Sequence, residues 1–268
     1  ARSRADWLVG INLSRLFTLL GRRAGFDGVL PVGRVQTPTL RLVVERDRAI
    51  ASFVPHPFWN VDAQLVADGV SFKASWQPPA SVCDDEGRCL DEAAARQAAL
   101  RLSQHGTARI GTIEVEHVRE GPPLPFDLGT LQEVCSAKLG LGAQETLGIA
   151  QALYETHKAT TYPRTDCGYL PESMLDEVPR ILHALVAPSP ALGQVIKALD
   201  PCRRSRAWNS SKITAHHGII PTAIKLDLTQ LSEREQAVYA LIRARYLAQF
   251  LPEHEYLKTQ VLLHSQAD

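Results

Sequence analysis

Lysine is scarce in this chain of 268 residues. Seven lysines (Lys73, Lys138, Lys158, Lys197, Lys212, Lys225, Lys258) stand against 22 arginines. A guanidinium grips a phosphate through two parallel N–H donors, where an ammonium acts as a point charge. The bias therefore suits a polyanionic partner, although a GC-rich genome yields the same bias. Net charge adds nothing, because Lys plus Arg equals Asp plus Glu at 29 each. No apolar run is long enough to span a membrane, and no signal peptide opens the chain. The five cysteines are odd in number and form no CxxC pair. That argues against a metal site and a disulfide framework, and for reduced cytosolic thiols. No P-loop and no paired-glycine dinucleotide fingerprint occurs. There is no internal repeat and no low-complexity tract. The chain opens on Ala1 and holds one methionine, Met174, which reads as a fragment or a processed product.

The hydrophobic pattern divides what is present. Residues 4–21 read as a helix with a broad apolar face of Trp7, Leu8, Ile11, Leu16, Leu19 and Leu20. A glycine-punctuated loop over 25–33 leads to a second helix, with Thr37 expected as N-cap and Pro38 in its first turn. The period then becomes two. Trp59, Val61, Ala63 and Leu65 alternate with polar residues as a half-buried strand, with a partner at 70–76. A turn at 84–87, an alanine-rich helix at 91–104 and a strand at 108–118 follow. Gly121-Pro122-Pro123-Leu124-Pro125 reads as a linker. Beyond it, helices are expected from Asp127 to 139, over 143–158, 171–186 and 190–199. Ser232 and Glu235 form a capping box for a helix running to about 250. A last strand alternates through Leu257, Thr259, Val261 and Leu263. A β unit is thus left near 120 and re-entered near 255, so the region between reads as an insertion.

Three clusters carry candidate chemistry. In the first, Tyr162 stands two residues before Arg164 in a segment that Pro163 keeps out of helix. A phenol ionises near pH 10, so phenolate at neutral pH costs about 4 kcal/mol, part of which a nearby guanidinium offsets. In extended chain the two side chains leave the same face and can address one phosphodiester. Thr165 and Asp166 add polar contacts. The bland alternative is a half-buried loop tyrosine beside a surface arginine. The second cluster holds His216 and His217 beside Gly218, which allows close backbone approach. A histidine there can donate to phosphate or move a proton; alternatively one histidine packs and the other is solvated. The third is Gly33-Arg34-Val35-Gln36-Thr37-Pro38, a turn into a helix N-terminus that offers N–H groups to an anion. Alone it is a capped helix with a surface arginine.

Together these segments resemble the type IA DNA topoisomerases, and most closely the topoisomerase III branch. Four blocks carry the resemblance, in order: Arg2 to Asn12, Gly33 to Pro38, Thr161 to Asp166, and Ala215 to Thr222. Leu153-Tyr154-Glu155 is similar as well. The resemblance implies a multidomain α+β protein, mainly helical with a β-rich arch. It implies residues 1–54 as part of a helical single-strand groove, 55–123 and 252–268 as the arch, 124–225 as the helical domain bearing the tyrosine, and 226–251 as a return helix. It implies cleavage of single-stranded DNA without ATP, through a 5′-phosphotyrosine on Tyr162. Arg164 would stabilise charge on the phosphate and His216 would contact the scissile region. Arg2, Asp6, Arg34, Gln36, Thr37, Thr165, Asp166 and His217 would contact DNA. Mg2+ would serve the full-length enzyme through ligands outside this chain, so no metal ligand is expected here. A cytoplasmic, nucleoid-associated monomer is expected, with no membrane partner.

The sequence departs from the family pattern. The N-terminal acidic metal-binding domain that the resemblance implies is expected to lie outside these 268 residues, which alone are expected to relax little or no DNA. Pro31 replaces a common serine, and Gly168 replaces a common basic residue. The alternative reading is a non-catalytic single-stranded-DNA-binding module on the same scaffold. A relaxase or tyrosine recombinase would need a histidine triad or an Arg-His-Arg set, and neither is visible.

Overall fold

The computed structural model describes residues 2–186, 192–213 and 215–265, with Arg2 and His105 described by backbone alone. The chain separates into two compact units, one built from residues up to 109 with the strand end from 263, the other from 110–262. Eight α-helices and two two-stranded sheets are found among the described residues.

The first unit begins with α1 (Arg2–Arg23) and α2 (Gln36–Ala51). The loop between them is pinned to α1 by hydroxyls: Leu30 N–H donates to Thr18 Oγ1 at 3.0 Å and Val32 N–H to Ser14 Oγ at 2.8 Å. Thr37 is not the N-cap expected of it. The N-cap is Val35, two residues earlier, and the Thr37 hydroxyl accepts from Gly33 N–H at 3.0 Å. Pro38 still falls within the first turn, where its missing N–H leaves nothing unsatisfied. The apolar face of α1 is open: Trp7 is 64% exposed and Leu19 57%. No residue of α2 is buried either.

β1 (Asp62–Ala67) and β2 (Val70–Ser75) form a hairpin in the register Asp62↔Ser75 to Ala67↔Val70. Its two turn residues, Asp68 and Gly69, both take positive φ, at 50° and 79°. Asp-Gly adopts that geometry readily, and the primed turn matches strand twist. α3 (Glu92–His105) is capped by Asp91, whose carboxylate accepts from Ala93 and Ala94 N–H.

The second unit holds the core. β3 (Ala108–Glu120) pairs with β4 (His254–Ser265). Between them lie α4 (Leu128–Leu139), α5 (Ala143–Glu155), α6 (Val178–Val186), α7 (Leu192–Lys197) and α8 (Glu233–Leu247). Asp127 caps α4 through Thr130 N–H at 2.7 Å, and Gly140 ends it with φ 67°. Left-handed residues favour glycine, and that is where such helices stop. The expected helix at 171–186 is broken: Glu172–Glu177 is a 3-10 turn and regular helix starts at Val178. Pro179 has no N–H to give, so it belongs in a first turn rather than a helix interior. Of the helix expected at 190–199, residues 190 and 191 lie outside the described residues. α4, α5, α6 and α8 close on one cluster that includes Phe126, Leu131, Leu153, Ile181, Ile242 and Phe250.

The stretch at 121–125 is not a free linker. Pro123 C=O accepts from Gln249 Nε2 at 2.7 Å, and Pro125 and Phe126 are buried. Gln249 is fully buried, with its amide also bonded to Arg245 C=O and accepting from Ser205 Oγ. Both passages between the β3–β4 ribbon and the helical body are therefore tied at one side chain.

The capping box of α8 is formed in full. Glu235 N–H donates to Ser232 Oγ, and Ser232 N–H to Glu235 Oε2 at 2.8 Å. Burial pushes the Glu235 carboxyl up. The Ser232 hydrogen bonds and the His157 ring beside it outweigh that and hold it below the usual carboxylate range. A carboxyl lowered by folding adds stability above its unfolded pKa and loses it as pH falls. Ser232→Ala is expected to cost about 1 kcal/mol at neutral pH, and the cost should shrink in acid, as chemical unfolding at pH 7 and below pH 4 will measure.

Candidate active site

α5 delivers the chain to Tyr162. The helix stops at Thr156, and Lys158 takes a left-handed φ of 52°. That turn throws the next residues into extended chain alongside the histidine segment. Thr160 pairs antiparallel with Pro221. Thr222 N–H donates to Ala159 C=O at 3.0 Å and Thr161 N–H to Ile220 C=O at 2.9 Å. Thr222 Oγ1–H donates to Lys158 C=O at 2.6 Å.

Thr161 adds a side-chain link that sequence reasoning missed. Its hydroxyl accepts from Ile220 N–H at 3.0 Å and donates to Gly218 C=O at 3.1 Å. Gly218 N–H in turn donates to Tyr169 C=O at 2.9 Å. Both ends of the loop running from Tyr162 to Tyr169 are thus fastened to one glycine. No local sequence signal announces these bonds, since they join residues 49 to 59 positions apart.

Two glycines make the close approach possible. A Cβ at Gly218 would stand 2.9 Å from Pro125 Cβ, and one at Gly168 would stand 2.8 Å from the Pro125 carbonyl oxygen. Ile219 N–H reaches Phe126 C=O at 2.7 Å, and Leu128 N–H reaches Thr165 C=O at 2.9 Å. Gly168 thus has a steric reason to be glycine, because a basic side chain there would collide with fixed backbone.

The Tyr162 ring is half-buried between two others. His216 lies 4.6 Å away, tilted by 43°, and Tyr154 lies 5.6 Å away at 79°, edge to face. Such ring pairs fix orientation as well as burying area. Arg164 is exposed, and its Nε donates to Gln151 Oε1 at 3.3 Å. Gln151 is braced by Glu155. Gln151 and Tyr154 are three residues apart on α5, so one face of that helix steadies both Arg164 and Tyr162. Among the described residues Arg164 pairs with no carboxylate, so its charge remains available to an anion.

The remaining candidates divide. Asp166 is exposed on the loop. His217 is half-buried, with Nδ1 2.9 Å from Gly218 C=O, which places the proton on that nitrogen and leaves Nε2 the other ring position. Thr165 is withdrawn from the surface. It is 4% exposed, and its hydroxyl accepts from Cys167 N–H at 3.1 Å, so it shapes the loop rather than facing a ligand. In the first unit, Arg34 Nε and Asp6 Oδ2 form an exposed ion pair at 2.8 Å. Asp6 is thus engaged with Arg34, and the Arg2 side chain lies outside the described residues. Gln36 is exposed, while the Thr37 hydroxyl is occupied by Gly33.

The arrangement sets a phenol against an imidazole, with an unneutralised guanidinium two residues away, on a loop fixed at both ends. Comparison with known proteins gives this its context. The family model for DNA topoisomerase matches residues 1–268. The chain therefore belongs to the DNA topoisomerases, in the type IA class, and its fold is of that kind. Full-length topoisomerase I from Thermotoga maritima superposes with a TM-score of 0.63 at 24% identity, over 98% of this chain and 40% of that one. The sequence similarity runs to the topoisomerase 3 branch. DNA topoisomerase 3 of Salmonella typhimurium is 44% identical over 98% of this chain, and that of Vibrio cholerae is 40% identical over 98%. The chain spans about two fifths of the length of these relatives, 41% and 42% respectively.

Proposed function

We propose that Tyr162 is the nucleophile of an ATP-independent type IA DNA topoisomerase acting on single-stranded DNA. The observation that carries this reading is the Tyr162–His216 ring contact, held by Thr161 and Gly218, with Arg164 paired to no carboxylate among the described residues. In the proposed reaction the Tyr162 oxygen loses its proton and attacks a phosphorus. The P–O3′ bond breaks, and O3′ takes a proton to become a free hydroxyl. The phosphate stays on the 5′ end of the downstream strand as a phosphotyrosine. Because the ester conserves the bond, the same hydroxyl can reseal it after another strand has passed. Arg164 stabilises the charge that builds on the phosphate oxygens. His216 donates to the scissile phosphate from across the Tyr162 ring.

Further parts of the reading rest on the resemblance. Residues 1–54 would form part of the single-strand groove, where Arg34 and Gln36 meet DNA. Residues 55–123 and 252–268 would be the arch, 124–225 the tyrosine-bearing domain and 226–251 the return helix. The protein would be a cytoplasmic, nucleoid-associated monomer. Mg2+, which the family implies, finds no donor set here: among the described residues no three His, Cys, Asp or Glu side chains converge to hold a metal. The 268 residues alone are expected to leave supercoiled plasmid unrelaxed.

The polarity of cleavage tests the reading. With end-labelled single-stranded oligodeoxynucleotide and full-length protein, the 3′-labelled fragment should become protein-linked and the 5′-labelled fragment should run free with a 3′-hydroxyl. The reverse polarity, or no covalent product, would sink it. A non-catalytic binding module predicts the second of these.

Thr161→Val should separate chemistry from binding. It keeps the shape and removes both side-chain links to the histidine segment, leaving the buried Ile220 N–H unpaired at a cost of about 1–3 kcal/mol. Misplacing the reacting groups by about an ångström is worth up to ~100-fold in rate, so strand cleavage should fall by about 10- to 100-fold with single-strand affinity unchanged. Thr161→Ser, which retains the hydroxyl, should restore it.

A further inference from the structure

The Tyr162 loop ends on a second tyrosine with a cation of its own. Lys212 Nζ donates to Tyr169 Oη at 3.1 Å and stands 4.8 Å from the centre of its ring. Lys212 is exposed, and among the described residues it pairs with no carboxylate. Its backbone is held firmly. The 3-10 turn Ser210–Lys212 is capped by Asn209, whose side chain accepts from Ser211 N–H at 3.1 Å. Asn209 N–H donates to Leu170 C=O at 3.0 Å, and Glu172 N–H to Ser210 Oγ at 3.1 Å. The segment carrying Lys212 therefore lies along the outgoing limb of the loop and is laced to it.

The donor arithmetic favours an anion. An ammonium has three N–H donors and no acceptor. One points at Tyr169 Oη, so two remain. The Tyr169 hydroxyl uses a lone pair to receive that bond and keeps its own O–H to donate. Lys212 and Tyr169 together present three donors and one net positive charge, and among the described residues no protein acceptor satisfies them. Tyr169 itself is fixed, since its carbonyl accepts from Gly218 N–H at 2.9 Å. On the incoming limb stands Arg164, likewise without a carboxylate among the described residues.

We infer that Lys212 and Tyr169 form a second phosphate subsite for single-stranded DNA on the outgoing limb of the Tyr162 loop. This rests on the reading that the loop receives such a strand. Arg164 holds the backbone on one limb, Lys212 and Tyr169 hold it on the other, and the strand is stretched across Tyr162. Two grips fix the direction and register of the backbone, where one would let it pivot.

Salt dependence tests this, because each phosphate neutralised on a single strand contributes about 0.7 to the slope of log affinity against log salt. Affinity for a single-stranded oligodeoxynucleotide is measured over a salt series with full-length protein carrying Tyr162→Phe, so that cleavage does not interfere. Adding Lys212→Met should make the slope shallower by about 0.7 and leave the melting temperature unchanged. Lys212→Arg should keep the slope. Adding Tyr169→Phe instead should lower affinity at every salt concentration with little change in slope, because it removes a neutral donor. An unchanged slope in Lys212→Met would overturn the subsite. Failure of the Tyr162→Phe protein to bind the oligonucleotide at all would overturn the proposed function instead, so the two failures are distinguishable.

Discussion

Tyr162→Phe will abolish covalent capture of single-stranded DNA by the full-length protein and leave non-covalent binding nearly intact. The substitution removes one oxygen from a half-buried ring whose contacts with Tyr154 and His216 are ring to ring. Packing is therefore preserved while the atom proposed to bond phosphorus is lost. Loss of a nucleophile in a concerted site costs roughly 10^4-fold or more. Tyr154 and Tyr169 lie near the same loop, one beside the Tyr162 ring and the other at its far end. If either can substitute, adduct will persist in Tyr162→Phe, and the assignment of the nucleophile will be wrong.

The second large effect is expected at Arg164. Its guanidinium is steadied by one neutral amide, Gln151, and among the described residues no carboxylate cancels it. A cation so placed is inexpensive to hold and fully available to a phosphate whose charge grows during attack. Removing one such preorganised donor typically costs 10^2- to 10^3-fold in rate, about 2.7–4 kcal/mol. Arg164→Ala should show that loss in the rate of strand cleavage, measured in single turnover with saturating oligonucleotide. Arg164→Lys should recover only part of it, because an ammonium keeps the charge but not the two-pronged fork. Full activity in Arg164→Ala would mean that the guanidinium serves the loop and not the phosphate.

Local chemistry was legible in the sequence. Asp127 caps α4, and Ser232 with Glu235 closes the capping box of α8, because a capping side chain answers backbone donors two or three residues away. Alternation through Ala63 and Leu65 marks a strand because the pleat turns those residues inward together. What failed depended on distant partners. Thr37 has the composition of an N-cap, yet its hydroxyl is claimed by Gly33 across a turn. The stretch Gly121 to Pro125 has the composition of a linker, yet Gln249 and the two glycines Gly168 and Gly218 dock it into the helical body. Thr165 looked like a loop hydroxyl free for a ligand, but the turn to Cys167 faces it inward. The broad apolar face of α1 was legible, but not its exposure: Trp7 and Leu19 stand open.

The candidate site divided along the same line. Residue types in Tyr162, Arg164 and His216 could be named from their motifs. Their fastening could not, since the Thr161 hydroxyl reaches Gly218 and Ile220 across 57 and 59 positions. The Lys212–Tyr169 contact, spanning 43 positions, was equally hidden. A motif names the candidate groups, and only the packed chain gives the frame that holds them.

Peptide mapping of the covalent adduct tests the central claim most directly. The three tyrosines near the site fall on separate tryptic peptides: Tyr154 before the cut at Lys158, Tyr162 on Ala159 to Arg164, and Tyr169 on Thr165 to Arg180. Full-length protein trapped on a single-stranded oligonucleotide, digested with nuclease and trypsin and read by mass spectrometry, should carry a 5′-linked nucleotide on the Ala159–Arg164 peptide alone. A nucleotide on either of the other two peptides, or on none, would contradict the account.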